Sequence, residues 1–126
     1  GDIGGRINGS LIAMSTDKSV AYALDALQTR GKLFIGPGEM CYEGMIVGEH
    51  AKDNDLVVNV AKAKQLTNMR AASADKGIIL APPITFTLEE ALEYIEDDEL
   101  VEITPKSIRL RKRLLAENDR KKARRN

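Results

Sequence analysis

The apolar residues of this chain arrive in short bursts, each closed by a cluster of turn formers, and that rhythm limits the fold more than any other feature. Leu11, Ile12 and Met14 lie in the stretch 9–15, which ends at Ser15-Thr16-Asp17-Lys18, and 32–35 breaks at Gly36-Pro37-Gly38. Residues 44–51 and 56–61 are separated by Lys52-Asp53-Asn54-Asp55, and 77–80 runs into Pro82-Pro83. Bursts of this length bounded by Gly, Pro and Asx residues read as strands. Two segments carry a helical period instead. Ser19 stands where an N-cap belongs, Val20, Ala23, Leu24 and Leu27 share one face, and Arg30-Gly31 supplies a cation and a stop. Thr87 and Glu90 have the spacing of a capping box ahead of Leu88, Ala91, Leu92 and Ile95.

The simplest connection for 44–51 and 56–61 is a β-hairpin. Residues 99–103 and 107–111 should pair across Thr104-Pro105-Lys106, with Ile108 and Leu110 inward and Arg109 and Arg111 outward. The stretch 62–76 holds neither period and reads as a long loop, a rare feature in a compact domain unless it has a function. Residues 112–126 form a basic tail that begins helical and frays. The expected fold is α+β and β-rich: a small antiparallel, partly open barrel-like sheet with two main amphipathic helices and a basic C-terminal tail. At 126 residues the chain suits one domain spanning 1–126.

Aromatic residues make up 4% and Trp is absent, so the core must be aliphatic and base-stacking platforms are scarce. The single cysteine, Cys41, excludes an intrachain disulfide, and no apolar run approaches bilayer length. A soluble, reducing, cytoplasmic setting is expected. The chain opens on Gly1 without Met or a signal-peptide pattern, as expected for a piece of a longer polypeptide.

A formal net charge of +0 conceals strong segregation. Residues 86–102 contain Glu89, Glu90, Glu93, Glu96, Asp97, Asp98, Glu99 and Glu102 and no cation. Residues 106–126 contain Lys106, Arg109, Arg111, Lys112, Arg113, Arg120, Lys121, Lys122, Arg124 and Arg125 against Glu117 and Asp119.

Catalytic chemistry finds little to work with. No Gly-rich loop ends in Gly-Lys-Ser/Thr, and Gly36-Pro37-Gly38 reads as a turn, so nucleotide hydrolysis in this chain is excluded. One His50 and one Cys41 cannot hold zinc. A Cys41-His50 dyad stays formally open beside the plainer reading of Cys41 as a small buried hydrophobe. The carboxylates of 89–99 read as the solvated face of a helix, one that could also keep RNA off that side. Binding chemistry is better supplied. Lys62, Lys64 and Arg70 stand beside Gln65, Thr67 and Asn68 with no acid between them, a mixture suited to phosphate, ribose hydroxyls and base edges. An ordinary surface loop has the same composition. Arg109, Arg111, Lys112 and Arg113 could line a phosphate path, or belong to a merely solubilising tail.

Longer strings are more specific. Ala21-Tyr22-Ala23-Leu24, Leu27-Gln28-Thr29-Arg30-Gly31-Lys32-Leu33-Phe34-Ile35-Gly36-Pro37-Gly38 and Tyr42-Glu43-Gly44-Met45-Ile46-Val47-Gly48-Glu49-His50 occur in order. They are followed by Lys64-Gln65-Leu66-Thr67-Asn68-Met69-Arg70-Ala71, by Thr87-Leu88-Glu89-Glu90-Ala91-Leu92-Glu93-Tyr94-Ile95, and by Ile103-Thr104-Pro105-Lys106-Ser107-Ile108-Arg109-Leu110-Arg111-Lys112-Arg113. Together they resemble the C-terminal domain of the bacterial TypA/BipA family of ribosome-associated translational GTPases, from about Gly5 to the tail. The resemblance implies a non-catalytic ribosome- and tRNA-binding domain of a factor in stress response and ribosome assembly. It implies contact with ribosomal RNA and the tRNA acceptor end through Lys62, Lys64, Leu66, Thr67, Asn68, Met69 and Arg70, and Gln65 and Lys76 join them as candidate RNA contacts. Gln65 replaces an expected Lys, and Lys76 an expected acid. No cofactor is expected in this chain; GTP and Mg belong to the full-length parent, whose GTPase and elongation-factor-like domains would lie upstream. The chain is expected to be monomeric, with no membrane or DNA partner. The competing reading is a protein-interaction module that docks a partner or the GTPase domain.

Overall fold

The computed structural model describes residues 8–61, 78–105 and 107–125, without the side chains of Arg124 and Arg125. In chain order the elements are β1 (Ser10–Ala13), β2 (Asp17–Lys18), α1 (Ala21–Leu27), β3 (Gly31–Leu33), β4 (Met40–Cys41), β5 (Met45–His50), β6 (Leu56–Val58), α2 (Leu88–Tyr94), β7 (Glu99–Ile103), β8 (Ile108–Lys112) and α3 (Glu117–Arg125). The expected α+β, β-rich, open architecture is what forms.

β5 is the central strand, buried at every position but Glu49. β1 pairs with one edge of it, antiparallel. The other edge is shared: β8 takes the first half through Met45↔Arg111 and Ile46↔Leu110, and β3 the second half through Gly48↔Leu33 and His50↔Gly31. The sheet therefore runs β6-β1-β5-β8-β7 with β3 beside β5, and it forks where β3 and β8 part. β2 and β4 form a separate ribbon.

The expected hairpin of 44–51 with 56–61 does not form. β6 pairs in parallel with β1, Leu11 opposite Leu56, so the sheet is mixed and β1 lies between β5 and β6. The reason lies in how the link wraps the start of β1: Gly9 N donates to Lys52 O at 2.9 Å, His50 N donates to Gly9 O at 2.9 Å, and Ser10 N donates to Asp55 Oδ1 at 2.8 Å. These bonds carry the chain past β1 to its far edge.

Strand alternation divides the core in two. Leu11 and Ala13 of β1 and Met45 and Val47 of β5 pack with Leu24 and Leu27 of α1 and with Cys41, while Ile46 and Leu110 pack on the other face with Ala91 of α2. Each fully buried Leu or Ile contributes about 1.5–3 kcal/mol. Phe34, Phe86 and Tyr94 join beside the second cluster, Phe34 edge-on to Phe86 at 5.0 Å and to Tyr94 at 5.7 Å.

The helices differ in how far they follow expectation. α2 has its capping box: Glu90 N donates to the Thr87 hydroxyl at 3.2 Å and Thr87 N to Glu90 Oε1 at 2.9 Å. Its stripe is only half used, with Ala91 buried but Leu88 39% and Leu92 56% exposed. Ser19 does not cap α1; the cap position is Val20, without a side-chain bond. The Ser19 hydroxyl instead donates to Gly36 O at 2.7 Å and accepts from Glu39 N at 3.1 Å, pinning the Gly36-Pro37-Gly38 turn beneath the helix start. The described part of the expected strand 77–80 is not a strand. Ile79 is exposed, and the Gln28 amide holds the segment by donating to Ile79 O and accepting from Ala81 N. Nor does a helix start at 112. β8 runs through Lys112, Arg113 N continues toward Asp98 O at 2.9 Å, and α3 begins only at Glu117.

Candidate nucleic-acid interface

β8 sorts the basic run by parity. Ile108, Leu110 and Lys112 face the α2 side, so Arg109 and Arg111 face the opposite side of the sheet, near Tyr42 and Cys41. Arg111 donates Nε to Lys112 O and Nη2 to Arg113 O, each at 3.1 Å, and Arg113 donates Nε to Asp97 O at 2.8 Å. These partners are carbonyls, which orient a guanidinium without neutralising it. Among the described residues Arg109, Arg111 and Arg113 form no carboxylate ion pair. Glu102, opposite Arg109 across the β7–β8 ladder, accepts the Tyr42 hydroxyl at 2.6 Å. Burial, then that bond to Glu102, holds the Tyr42 phenol well above its ordinary range, so it is neutral and a fixed donor.

Lys112 does not belong with these arginines, contrary to its expected place in the phosphate path. It is 2% exposed, and its ammonium meets Asp55 Oδ2 at 2.8 Å, Asp98 Oδ2 at 2.9 Å and Glu99 Oε2 at 2.8 Å. Its three N–H donors match three carboxylates, leaving none for a phosphate. Glu99 is buried as well, so the acidic tract is not wholly a solvated face; its carboxylate also accepts from the Ser10 hydroxyl at 3.1 Å and from Glu96 N at 2.9 Å. Desolvation works against the Lys112 charge, but the bonds to Asp55, Glu99 and Asp98 outweigh it and raise its pKa above 10.5.

The remaining cations divide similarly. Arg120 Nη1 donates to Leu114 O at 2.9 Å and Leu115 O at 2.7 Å, fastening α3 to the preceding turn. Lys121 pairs along the helix with Glu117 at 3.7 Å, and Lys122 is exposed. The expected contacts Lys62, Lys64, Gln65, Leu66, Thr67, Asn68, Met69, Arg70 and Lys76 lie outside the described residues.

One feature escaped sequence reasoning. The fork between β3 and β8 opens a cavity of about 550 Å³ that passes between the strands, lined by Phe34, Phe86 and Ile108 from the α2 side and by Ile35, Met45 and Arg109 from the other, with Glu39 and Thr85 also lining it. The 83–86 segment is held there by Ile84 N donating to Leu33 O at 2.9 Å. No local pattern announces such a groove, because four separate segments build it.

The groups considered for catalysis are apart and occupied. Cys41 precedes β5 and His50 ends it. His50 is buried with Nδ1 2.6 Å from Asn54 O, and burial lifts the Cys41 thiol to about 11, so no thiolate forms near neutrality. No group of three His, Cys, Asp or Glu among the described residues could hold a metal ion, and none of their helices is long and apolar enough to cross a membrane.

Residues 8–117 match the family model of the TypA/BipA C-terminal domain. The chain is 58% identical over 125 residues to the large ribosomal subunit assembly factor BipA of Escherichia coli (strain K12), covering 99% of this chain and 21% of that protein. It is 63% identical over 124 residues to the BipA of Buchnera aphidicola subsp. Schizaphis graminum, covering 98% and 20%. With the BipA of Haemophilus influenzae the identity is 56% over 125 residues, covering 99% and 20%. The chain thus spans about a fifth of the length of these curated relatives.

Proposed function

Since the chain belongs to the TypA/BipA C-terminal domain family, we propose that it is a non-catalytic module that grips RNA on the ribosome, serving large-subunit assembly. The relatives are named as assembly factors of that subunit. The observation that carries the RNA reading is the state of the β8 arginines. Arg111 and Arg113 keep their charge among carbonyl partners, and Arg109 beside them forms no carboxylate ion pair among the described residues, while Lys112 is neutralised beneath them. Guanidinium groups outside any carboxylate ion pair suit phosphate oxygens, which they engage through paired N–H donors.

The finer reading adds the 62–76 loop, where Lys62, Lys64 and Arg70 give position and Gln65, Thr67 and Asn68 read ribose or base. By the family likeness its targets are ribosomal RNA and the tRNA acceptor end, in a cytoplasmic factor active in stress, with GTP and Mg bound by other domains of the parent. Lys76, Leu66 and Met69 complete the proposed contact set. Co-sedimentation with ribosomes tests it: Arg109→Ala with Arg111→Ala, and separately Lys64→Ala with Arg70→Ala, should each weaken association by about 1 kcal/mol or more. Wild-type pelleting by both double variants overturns it.

A second reading is favoured by a specific observation on α2. Leu88 and Leu92, 39% and 56% exposed, lie one turn apart on a helix bearing Glu89, Glu90 and Glu93. An apolar pair framed by acids suits a basic protein segment and repels RNA. Binding through this face would persist as salt rises, because its apolar part is not screened.

A further inference from the structure

The fork groove has the makings of a ligand site that the strand arginines alone do not. Its volume, about 550 Å³, lies within the range of small-molecule pockets. One wall is aromatic: Phe34 and Phe86, both half-buried, meet edge to face at 5.0 Å. Arg109 reaches the groove from the other face of the sheet and, with Glu102 opposite it on the ladder bonded to Tyr42, forms no carboxylate ion pair among the described residues. Glu39 also lines the groove, its Oε2 fixed by the Gly36 amide at 2.6 Å, and it offers acceptor capacity to amino or imino groups. On the β8 side the wall is rigid, because Thr104 and Ser107 close the turn on each other with Ser107 N donating to Thr104 Oγ1 at 3.0 Å.

An aromatic surface, an unneutralised guanidinium and a carboxylate acceptor around one cavity are the complements of a flat base, a phosphate and a base edge. A duplex buries its bases in the stack, and a cleft between two strands of one sheet is too narrow to admit it. A purely apolar ligand would cover the Arg109 guanidinium without offering it a partner. We propose that the β3–β8 fork takes one unstacked nucleotide of single-stranded RNA, its base against Phe34 and Phe86 and its phosphate on Arg109. This rests on the RNA-gripping function above and adds to it a chemical class of target and a place on the fold.

The test uses this chain with a labelled six-nucleotide single strand carrying 4-thiouridine, and a hairpin duplex of matched charge. The single strand should bind more tightly than the duplex and photo-crosslink to peptides holding Phe34 or Phe86. Arg109→Ala and Thr85→Trp should each weaken single-strand binding roughly ten-fold with unchanged urea midpoints. Thr85 is exposed and outside both core clusters, so Trp there fills the groove without repacking the fold. Undiminished binding by both variants, or crosslinks confined to the 62–76 peptide, overturns the groove and leaves the broader RNA function standing. A chain that binds neither RNA at low salt overturns both.

Discussion

Burying the Lys112 ammonium costs several kcal/mol of hydration, and only its three carboxylate bonds offset that cost. Lys112→Met removes the cation and leaves Glu99 buried without it, so urea denaturation should show a loss of about 3–5 kcal/mol. The pH dependence has a definite sign. Because the folded state raises the Lys112 pKa above 10.5, its contribution is complete below that value and is lost as pH rises through the folded pKa. Wild-type stability should therefore show no Lys112-dependent loss up to about pH 10 and should fall more steeply than that of Lys112→Met as pH rises further. Gly44 is a second residue with a narrow role. Its φ is +90°, and an added Cβ would lie 2.7 Å from Leu115 Cα, where the chain crosses on its way to α3. Gly44→Ala should cost about 2 kcal/mol, from left-handed strain plus displacement of that crossing, read from the thermal midpoint. Residue type and neighbourhood alone do not distinguish Lys112 from Arg111 or Arg113. Parity does: in a strand with Ile108 and Leu110 inward, position 112 also faces inward, and reading the tail as helical from that residue concealed it.

At the scale of elements, α2 shows what local chemistry can specify. Both capping-box bonds are made, and Thr87→Ala should lower stability by about 1 kcal/mol in equilibrium unfolding. β7 and β8 were equally legible, because a short turn joins two strands whose apolar positions alternate in step. The β5–β6 connection was not. Lys52-Asp53-Asn54-Asp55 marks where the chain bends but not which strand it meets next, and β1 lies far earlier in sequence. Ser19 misled for a related reason: its hydroxyl finds the returning Gly36-Pro37-Gly38 turn, a tertiary partner invisible to a local cap rule. α2 likewise buries Ala91 and exposes Leu92, since periodicity defines a stripe while the sheet decides how much of it is covered.

At the scale of the molecule, segregated charge becomes two distinct surfaces. α2 carries Glu89, Glu90 and Glu93 on one side of the sheet, and β8 turns Arg109 and Arg111 to the other. The sum of +0 therefore describes neither face. The outward arginines of the candidate interface were readable from strand alternation. The fork groove was not, since it exists only where β3 leaves β5, a consequence of two strands sharing one edge. The measurement that bears most directly on RNA gripping is the affinity of this chain for ribosomes across a series of salt concentrations. Neutralised phosphates release counterions, so the logarithm of affinity should fall linearly with the logarithm of salt, with a shallower slope for the Arg109→Ala, Arg111→Ala double variant. An affinity indifferent to salt, or a slope unchanged in that variant, would contradict the account.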